Sequence, residues 1–424
     1  MTSKEKKIKN WYKLDNVAKI FPPTKDKKDT RKFRFSVGLK ENVDSEVLKE
    51  ALDITLKEFP TFSSVIKRGL FWYYLEESDI EARPILESTP ICDYRDINDL
   101  VFKVFFYKKR ISLEVNHELT DGTGALLFLR NLTAKYLQIK HKIKKPLIIN
   151  DSSIEEKNDD SFAKYSKNNY DLKPTYKEKA YHIKKEEYSL NRLRVIEGLM
   201  SCSKVLEQAK KYNTTLTVYI ASLYIKSICM TMSERERKKR IYIMIPVNLR
   251  KYFDSSTTKN FFNTVNVSYK CNKSSSLKDI IASIDKQLKD NLTKEALSKN
   301  MNTLLLFEEL FIVRLIPIFI KDIILKIAHL ISKRTCTSVF SNVGIVTMPD
   351  CLDKYIEYFD MFTSTSGIQL CACSYKDNLM LSFTSHFKNS EIEKNLFRML
   401  SKEGVDITIN SNIIKEDTLN EDLL

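Results

Sequence analysis

Two periods of hydrophobicity run along the chain, and each marks its elements. From Asp44 to Phe59, the residues Val47, Leu48, Ala51, Leu52, Thr55 and Leu56 recur at the spacing of one helix face. Asp44 or Ser45 caps this predicted helix and Pro60 stops it. After an opening loop, Lys32–Leu39 reads as a strand, and extended segments follow at Val65–Glu76, Val101–Lys108 and Ile111–His117, with a helix from about Ala125 to Ile139. In the second half, Ser201–Tyr212, Leu216–Met232, Ser275–Leu297 and Glu391–Lys402 carry helical patterns. Strands are predicted at Arg240–Pro246, Asn263–Tyr269, Ser338–Asn342, Tyr355–Thr363, Gly367–Tyr375 and Asn378–His386.

No period of roughly 20 to 50 residues repeats, which excludes solenoids and propellers. Between about His141 and Glu187 aliphatic residues thin out, as in DSSIEEKNDDS and KYSKNNYDLKPTYKEK, and the stretch reads as a polar crossover. The expected organisation is α+β: an N-terminal half, residues 1–145, a linker, 146–187, and a C-terminal half, 188–424. The most apolar stretch, Leu304–Ile331, is interrupted by Glu308, Glu309, Arg314, Lys321, Asp322 and Lys326 and broken by Pro317. Its uncharged runs fall far short of the roughly 20 residues that cross a bilayer, so two amphipathic helices are expected. An apolar face flanked by lysines also suits an interface, and peripheral membrane contact stays open.

The 424 residues allow two or three domains at roughly 150 residues each. A net charge of +15 invites a nucleic-acid reading, but the basic residues are mostly Lys, dispersed among acids as in SERERKKR (Ser233–Arg240), with no recognition signature to concentrate them. No nucleic-acid partner is expected; a lysine-rich surface favours anionic ligands in general. The N-terminal MTSKEKKIKNWYK lacks an apolar core, so a cytoplasmic protein with reduced, mostly buried thiols is expected. Cys371 and Cys373 would share a strand face, yet no neighbouring His or Cys pair completes a zinc site, and no metal is expected.

One segment concentrates chemistry: ISLEVNHELTDGTGALLFL, Ile111–Leu129. In strand phase Ile111, Leu113, Val115 and His117 share a face. Asp121 follows four residues later, then Gly122 and Gly124, two of only eight glycines, just before an apolar helix. Alone, such a pair reads most simply as a half-buried histidine and a turn or helix cap. Three further patterns in order change that balance: IPVNLR (Ile245–Arg250), NFFN (Asn260–Asn263) and TSVFSNVG (Thr337–Gly344).

In that order and spacing the chain resembles the CoA-dependent acyltransferase superfamily, whose signature is HxxxDG. This superfamily contains chloramphenicol acetyltransferase, the condensation domains of nonribosomal peptide synthesis, plant BAHD acyltransferases and alcohol acetyltransferases. The opening WYKLDNVAKIFPP, Trp11–Pro23, looks closest to the alcohol acetyltransferase branch, and the resemblance runs from Trp11 to near His386. Condensation domains usually carry a second His where Asn116 stands, and the plant DFGWG motif is absent.

The resemblance implies two chloramphenicol-acetyltransferase-like halves, each a mixed β-sheet flanked by helices, with an active-site tunnel between them. It implies transfer of an acyl group, acetyl in the leading reading, from CoA to an alcohol or amine. His117 would act as general base, and acyl-CoA would serve as co-substrate with no further cofactor. Asp121 would turn away from His117 and pair with Arg250. Gly122 would let the backbone turn, and Ser338, Ser341 and Asn342 are candidates for stabilising the oxyanion. Absence of a GxSxG elbow speaks against an acyl-serine. Two alternatives stay open: transfer from a carrier-protein thioester, with an acidic carrier protein docking on a basic face, and a catalytically silent, membrane-associated binding module.

Overall fold

The computed structural model describes residues 9–88, 91–92, 99–147, 149, 152–165, 178–188, 192–309 and 315–412. In the first half the strands are β1 (Trp11–Lys13), β2 (Lys32–Leu39), β3 (Ser64–Arg68), β4 (Tyr73–Glu77), β5 (Ile85–Leu86), β6 (Phe102–Tyr107) and β7 (Arg110–Asn116). The second half supplies β8 (Arg194–Ser201), β9 (Ile241–Asn248), β10 (Phe262–Tyr269), β11 (Ser338–Val346), β12 (Ile356–Thr363), β13 (Ile368–Tyr375), β14 (Asn378–Ser385) and β15 (Ile407–Ser411).

Two mixed sheets position the site. The first has the order β12-β2-β7-β6-β5, and the second β10-β9-β11-β13-β14-β8-β15; β1, β4 and β3 form a small separate sheet. All eight residues of β2 are buried, so its polar positions need internal partners. Arg34 finds them in Glu114 and Glu87, and Ser36 in Ser112. Although β12 comes late in the chain, it pairs antiparallel with β2 in the first sheet, Phe359 opposite Val37. Val346, Phe359, Met361 and Tyr375 accordingly belong to the same hydrophobic core as Phe33, Leu52 and Phe128. A second core, around Tyr219, Tyr224, Phe340 and Leu381, fills the other half. The fold is therefore α+β, two sheet-and-helix halves, with one strand exchanged between them.

Helices Ser45–Glu58 and Glu391–Lys402 match their predicted spans closely, and Asp44 caps the first through bonds from the Glu46 and Val47 amides. Several expectations are corrected. The opening loop contains β1 and a helical turn, Phe21–Thr24. Val65–Glu76 is the hairpin β3–β4, turning at Gly69. Ser275–Leu297 is two helices, Leu277–Asn291 and Lys294–Glu309. Strands β8 and β15 lie outside the predicted elements. Cys229 and Cys271 are joined in a disulfide, against the expectation of reduced thiols throughout; 42 residues apart, they are brought within reach only by the fold. The other six cysteines are free.

The predicted linker holds short helices at Ile154–Lys157 and Ser161–Tyr165, while residues 148, 150–151 and 166–177 lie outside the described residues. Of the apolar stretch, residues 310–314 also lie outside them, and Pro317 caps the helix Ile318–Lys333. Among the described residues no helix is long and apolar enough to cross a membrane, and no group of His, Cys, Asp or Glu is placed to hold a metal ion.

Candidate active site

The central strand β7 delivers His117 to the site. Its neighbours β2 and β6 fix the register, Phe33 and Phe102 both standing opposite Val115. His117 lies one residue past the strand, its amide donating to Arg31 O at 3.0 Å. The imidazole stacks on Phe21 (ring centroids 4.8 Å apart) and leans on Phe33 (4.4 Å). Burial pushes its pKa down to about 4; the Asp121 carboxylate opposes this shift, the Arg31 guanidinium adds to it, and the Asn260 side chain opposes it.

Asp121 caps helix Gly122–Lys140, Oδ1 accepting from the Thr123 and Gly124 amides, both at 3.0 Å. Its other oxygen turns to the second half, accepting from Arg250 Nη1 at 2.7 Å and the Phe261 amide at 2.8 Å. Arg250 also donates to the carbonyls of Thr257 (2.9 Å) and Lys259 (2.6 Å). Both side chains are at most one-tenth exposed. This buried pair ties loop 257–261 to the turn that carries His117.

The expected role of Gly122 needs correction. A Cβ there would meet Phe35 at an ordinary 3.7 Å, and the backbone is not left-handed. Gly124 is the constrained position, because a Cβ would lie 2.2 Å from both Thr120 Oγ1 and Thr258 O. Thr120 itself donates to Thr258 O, so loop and helix terminus meet without room for a side chain.

Asn260 and Asp15, fully enclosed residues from distant segments, lock the site from behind. Asn260 donates through its amide nitrogen to Asp15 Oδ2 (2.9 Å) and to His117 O (3.0 Å). Burial raises the Asp15 carboxyl to about 6 despite bonds from Asn260 and the Ala18 amide. His117 Nδ1 and Asn260 Oδ1 are both buried and have no hydrogen-bond partner among the described residues. Asp15 lies in WYKLDN and Asn260 in NFFN, but neither local pattern signals their contact, since only the fold joins them. Glu118 was also missed: its buried carboxyl is pushed up by burial, with Lys25 3.9 Å away.

The opposite wall comes from β9 and β11. These strands pair only through Ser338 and Val339 and then separate, and a cavity of about 1250 Å³ reaches into the gap. His117, Asp121 and Gly122 line it together with Ser338, Ser341 and Asn342, whereas Arg250 stands behind Asp121. Ser338 Oγ is committed to Ile368 O (2.5 Å) and the Tyr224 hydroxyl (2.6 Å). Asn342 Nδ2 donates to Thr217 Oγ1 at 2.8 Å, and its Oδ1 accepts from the Gly344 amide. Cationic side chains, among them Lys251, Lys289, Lys333 and Arg334, also border the cavity.

Solved structures share this architecture. The trichothecene 15-O-acetyltransferase TRI3 from Fusarium sporotrichioides superposes with a TM-score of 0.62 at 12% identity, over 93% of this chain and 94% of that one. TRI101 of F. sporotrichioides, solved with coenzyme A and T-2, gives 0.60 at 12% identity, over 94% and 99%. The first condensation domain of the CDA synthetase gives 0.56 at 11% identity, over 93% and 96%. This chain has their fold. No family model and no curated relative matches the sequence. The similarity is thus one of backbone, spanning nearly the whole of each chain.

Proposed function

We propose that the protein transfers an acyl group, acetyl in the simplest case, from coenzyme A to an alcohol. The reading rests on one observation: His117, held neutral by burial, faces a large cavity walled by both halves of an acyltransferase-type fold. In this mechanism the imidazole takes the hydroxyl proton as the alcohol oxygen attacks the thioester carbonyl. The tetrahedral intermediate then collapses, the C–S bond breaks, and the imidazolium returns the proton to the departing thiolate. Asp121 and Arg250 serve by holding the turn. Of the oxyanion candidates, Ser338 and Asn342 already have partners, which leaves Ser341 the preferred donor. The cationic side chains at the cavity suit the phosphates of CoA. Acyl-CoA is the only co-substrate required beyond the acceptor.

The test is to incubate the purified protein with acetyl-CoA and a panel of alcohols and amines, following thiol release and product mass. Transfer to at least one alcohol is expected, and His117→Ala should lower it about 100- to 10,000-fold in protein that remains folded. Activity within a few-fold of wild type in that variant would remove His117 from the mechanism.

A further inference from the structure

Helix Ile318–Lys333 is amphipathic in the reverse sense: its polar side faces the protein and its apolar side faces out. Lys321, Asp322, Leu325, His329 and Lys333 recur at the spacing of one helix face, and that face is the enclosed one. Lys321 Nζ donates to Phe71 O at 3.0 Å and lies 3.6 Å from the Trp72 ring centroid. Asp322 Oδ2 accepts from the Tyr73 hydroxyl at 3.0 Å and from Arg68 at 3.2 Å. His329 Nε2 is 2.7 Å from Arg31 Nη2. These polar bonds fasten the helix to the body of the protein and leave its hydrophobic residues outside.

The outward side carries Phe319, Ile323, Ile324, Ile327, Leu330 and Ile331, each more than half exposed. The patch continues past the helix start. Ile318 N donates to Leu70 O at 2.9 Å, which brings the β3–β4 turn alongside, where Leu70 is 71% exposed and Phe71 37%. A face of this size normally gains its free energy by burial against something.

Charge identifies what covers it. Between Leu315 and Arg334 the single carboxylate is Asp322, and it is turned inward. Among the described residues, Lys326 and Arg334 are exposed cations beside the apolar stripe, with Arg68 at the neighbouring turn, and the nearby Asp26 carboxylate is paired with Lys333 at 3.6 Å. A second copy packed on this face by twofold symmetry would set like cations together, on chains each carrying +15. An apolar stripe with a basic rim and aromatic residues at one end matches acyl chains beneath anionic headgroups. The helix spans only ~24 Å, too short to cross a hydrocarbon core.

We propose that this face seats the protein on an anionic lipid bilayer, with helix Ile318–Lys333 lying in the plane of the interface. The docking is independent of the acyl-transfer reading, because the exposed apolar side chains and Lys326 that it uses take no part in that chemistry; of the rim residues, Arg334 alone also borders the cavity.

The experiment is vesicle flotation of the full chain. With vesicles of phosphatidylcholine and phosphatidylglycerol the protein is expected in the floating fraction, and with phosphatidylcholine alone its partition should fall by about tenfold or more. Ile323→Glu with Ile327→Glu should lower partition into the anionic vesicles by at least about tenfold while the melting temperature stays unchanged, since both side chains are exposed. Lys326→Glu, which alters only the rim, should also reduce it, and provides an independent variant should the first misfold. Wild-type protein that stays in the aqueous fraction with anionic vesicles would overturn the proposal. So would partition unchanged by both variants, or a stable dimer in sedimentation equilibrium that Ile323→Glu/Ile327→Glu dissolves.

Discussion

At His117, burial against Phe21 and Phe33 does more than position the ring. With its pKa lowered to about 4, the imidazole is neutral at pH 7 and free to accept a proton. The same shift has a consequence for stability. The unfolded chain binds a proton at this site near pH 6.5 and the folded chain near pH 4, so between those values the unfolded state holds more protons. His117 therefore contributes stability that is fully present above about pH 6.5 and is lost as pH falls toward 4. In chemical denaturation at pH 5 and pH 7, His117→Gln should show a smaller difference between the two pH values than wild type; equal differences would mean the ring is not desolvated. Strand phase made His117 legible from the sequence, because period-two alternation puts it at the end of an inward face. Asp15 and Asn260 were not legible, because their partners lie 245 residues apart and no local pattern signals a buried carboxyl–amide contact.

Among the elements, the turn between β7 and helix Gly122–Lys140 does the positioning, and its two glycines differ in kind. Gly124→Ala would drive a methyl group into the Thr258 carbonyl, which must move, whereas Gly122→Ala only adds a methyl at contact distance from Phe35 and Met361. Gly124→Ala should therefore lower the melting temperature markedly and Gly122→Ala little, a contrast that thermal unfolding measures directly. Equal effects would show that the loop yields. Asp121 and Arg250 join this turn to the second half. Replacing either alone leaves a buried charge without its partner, at a cost of roughly 3 to 5 kcal/mol. A double-mutant cycle with Asp121→Asn and Arg250→Ala should give a coupling of about 0.5 to 3 kcal/mol, and simple additivity would show that the pair does not interact. Elements with a clean period were legible in advance, such as Ser45–Glu58 and Glu391–Lys402. Those whose burial departs from alternation were not: β8 is interrupted by Gly198, whose missing side chain makes room for Phe397, and β15 is an exposed edge strand. In the β3–β4 hairpin only Gly69 marks the turn, so the sequence pattern runs through it as one segment.

For the whole molecule, the exchange of β12 makes the cavity a joint product of both halves. His117 comes from the first sheet, Ser341 and Asn342 from the second, and the strands β9 and β11 open between them. If donor and acceptor meet in that shared space, transfer is direct and needs no covalent intermediate. The thiols support the same route. Burial pushes Cys92, Cys371 and Cys373 upward, away from the thiolate form that a nucleophile requires. Cys229 and Cys271 are consumed in a disulfide, and Cys202 is also pushed up by burial. Cys336 borders the cavity, but its thiol donates a hydrogen bond to Ser338 O at 3.2 Å. Cys336→Ala should therefore retain activity within a few-fold of wild type. Initial rates with acetyl-CoA and the alcohol both varied should give intersecting lines, because both must be bound before chemistry. Parallel lines, or acetyl mass retained on the denatured protein after exposure to acetyl-CoA alone, would contradict direct transfer. An adduct on Cys336 that also passes to added alcohol would be the most consequential result: it would move the nucleophile to the second half and leave His117 to activate the acceptor in a later step.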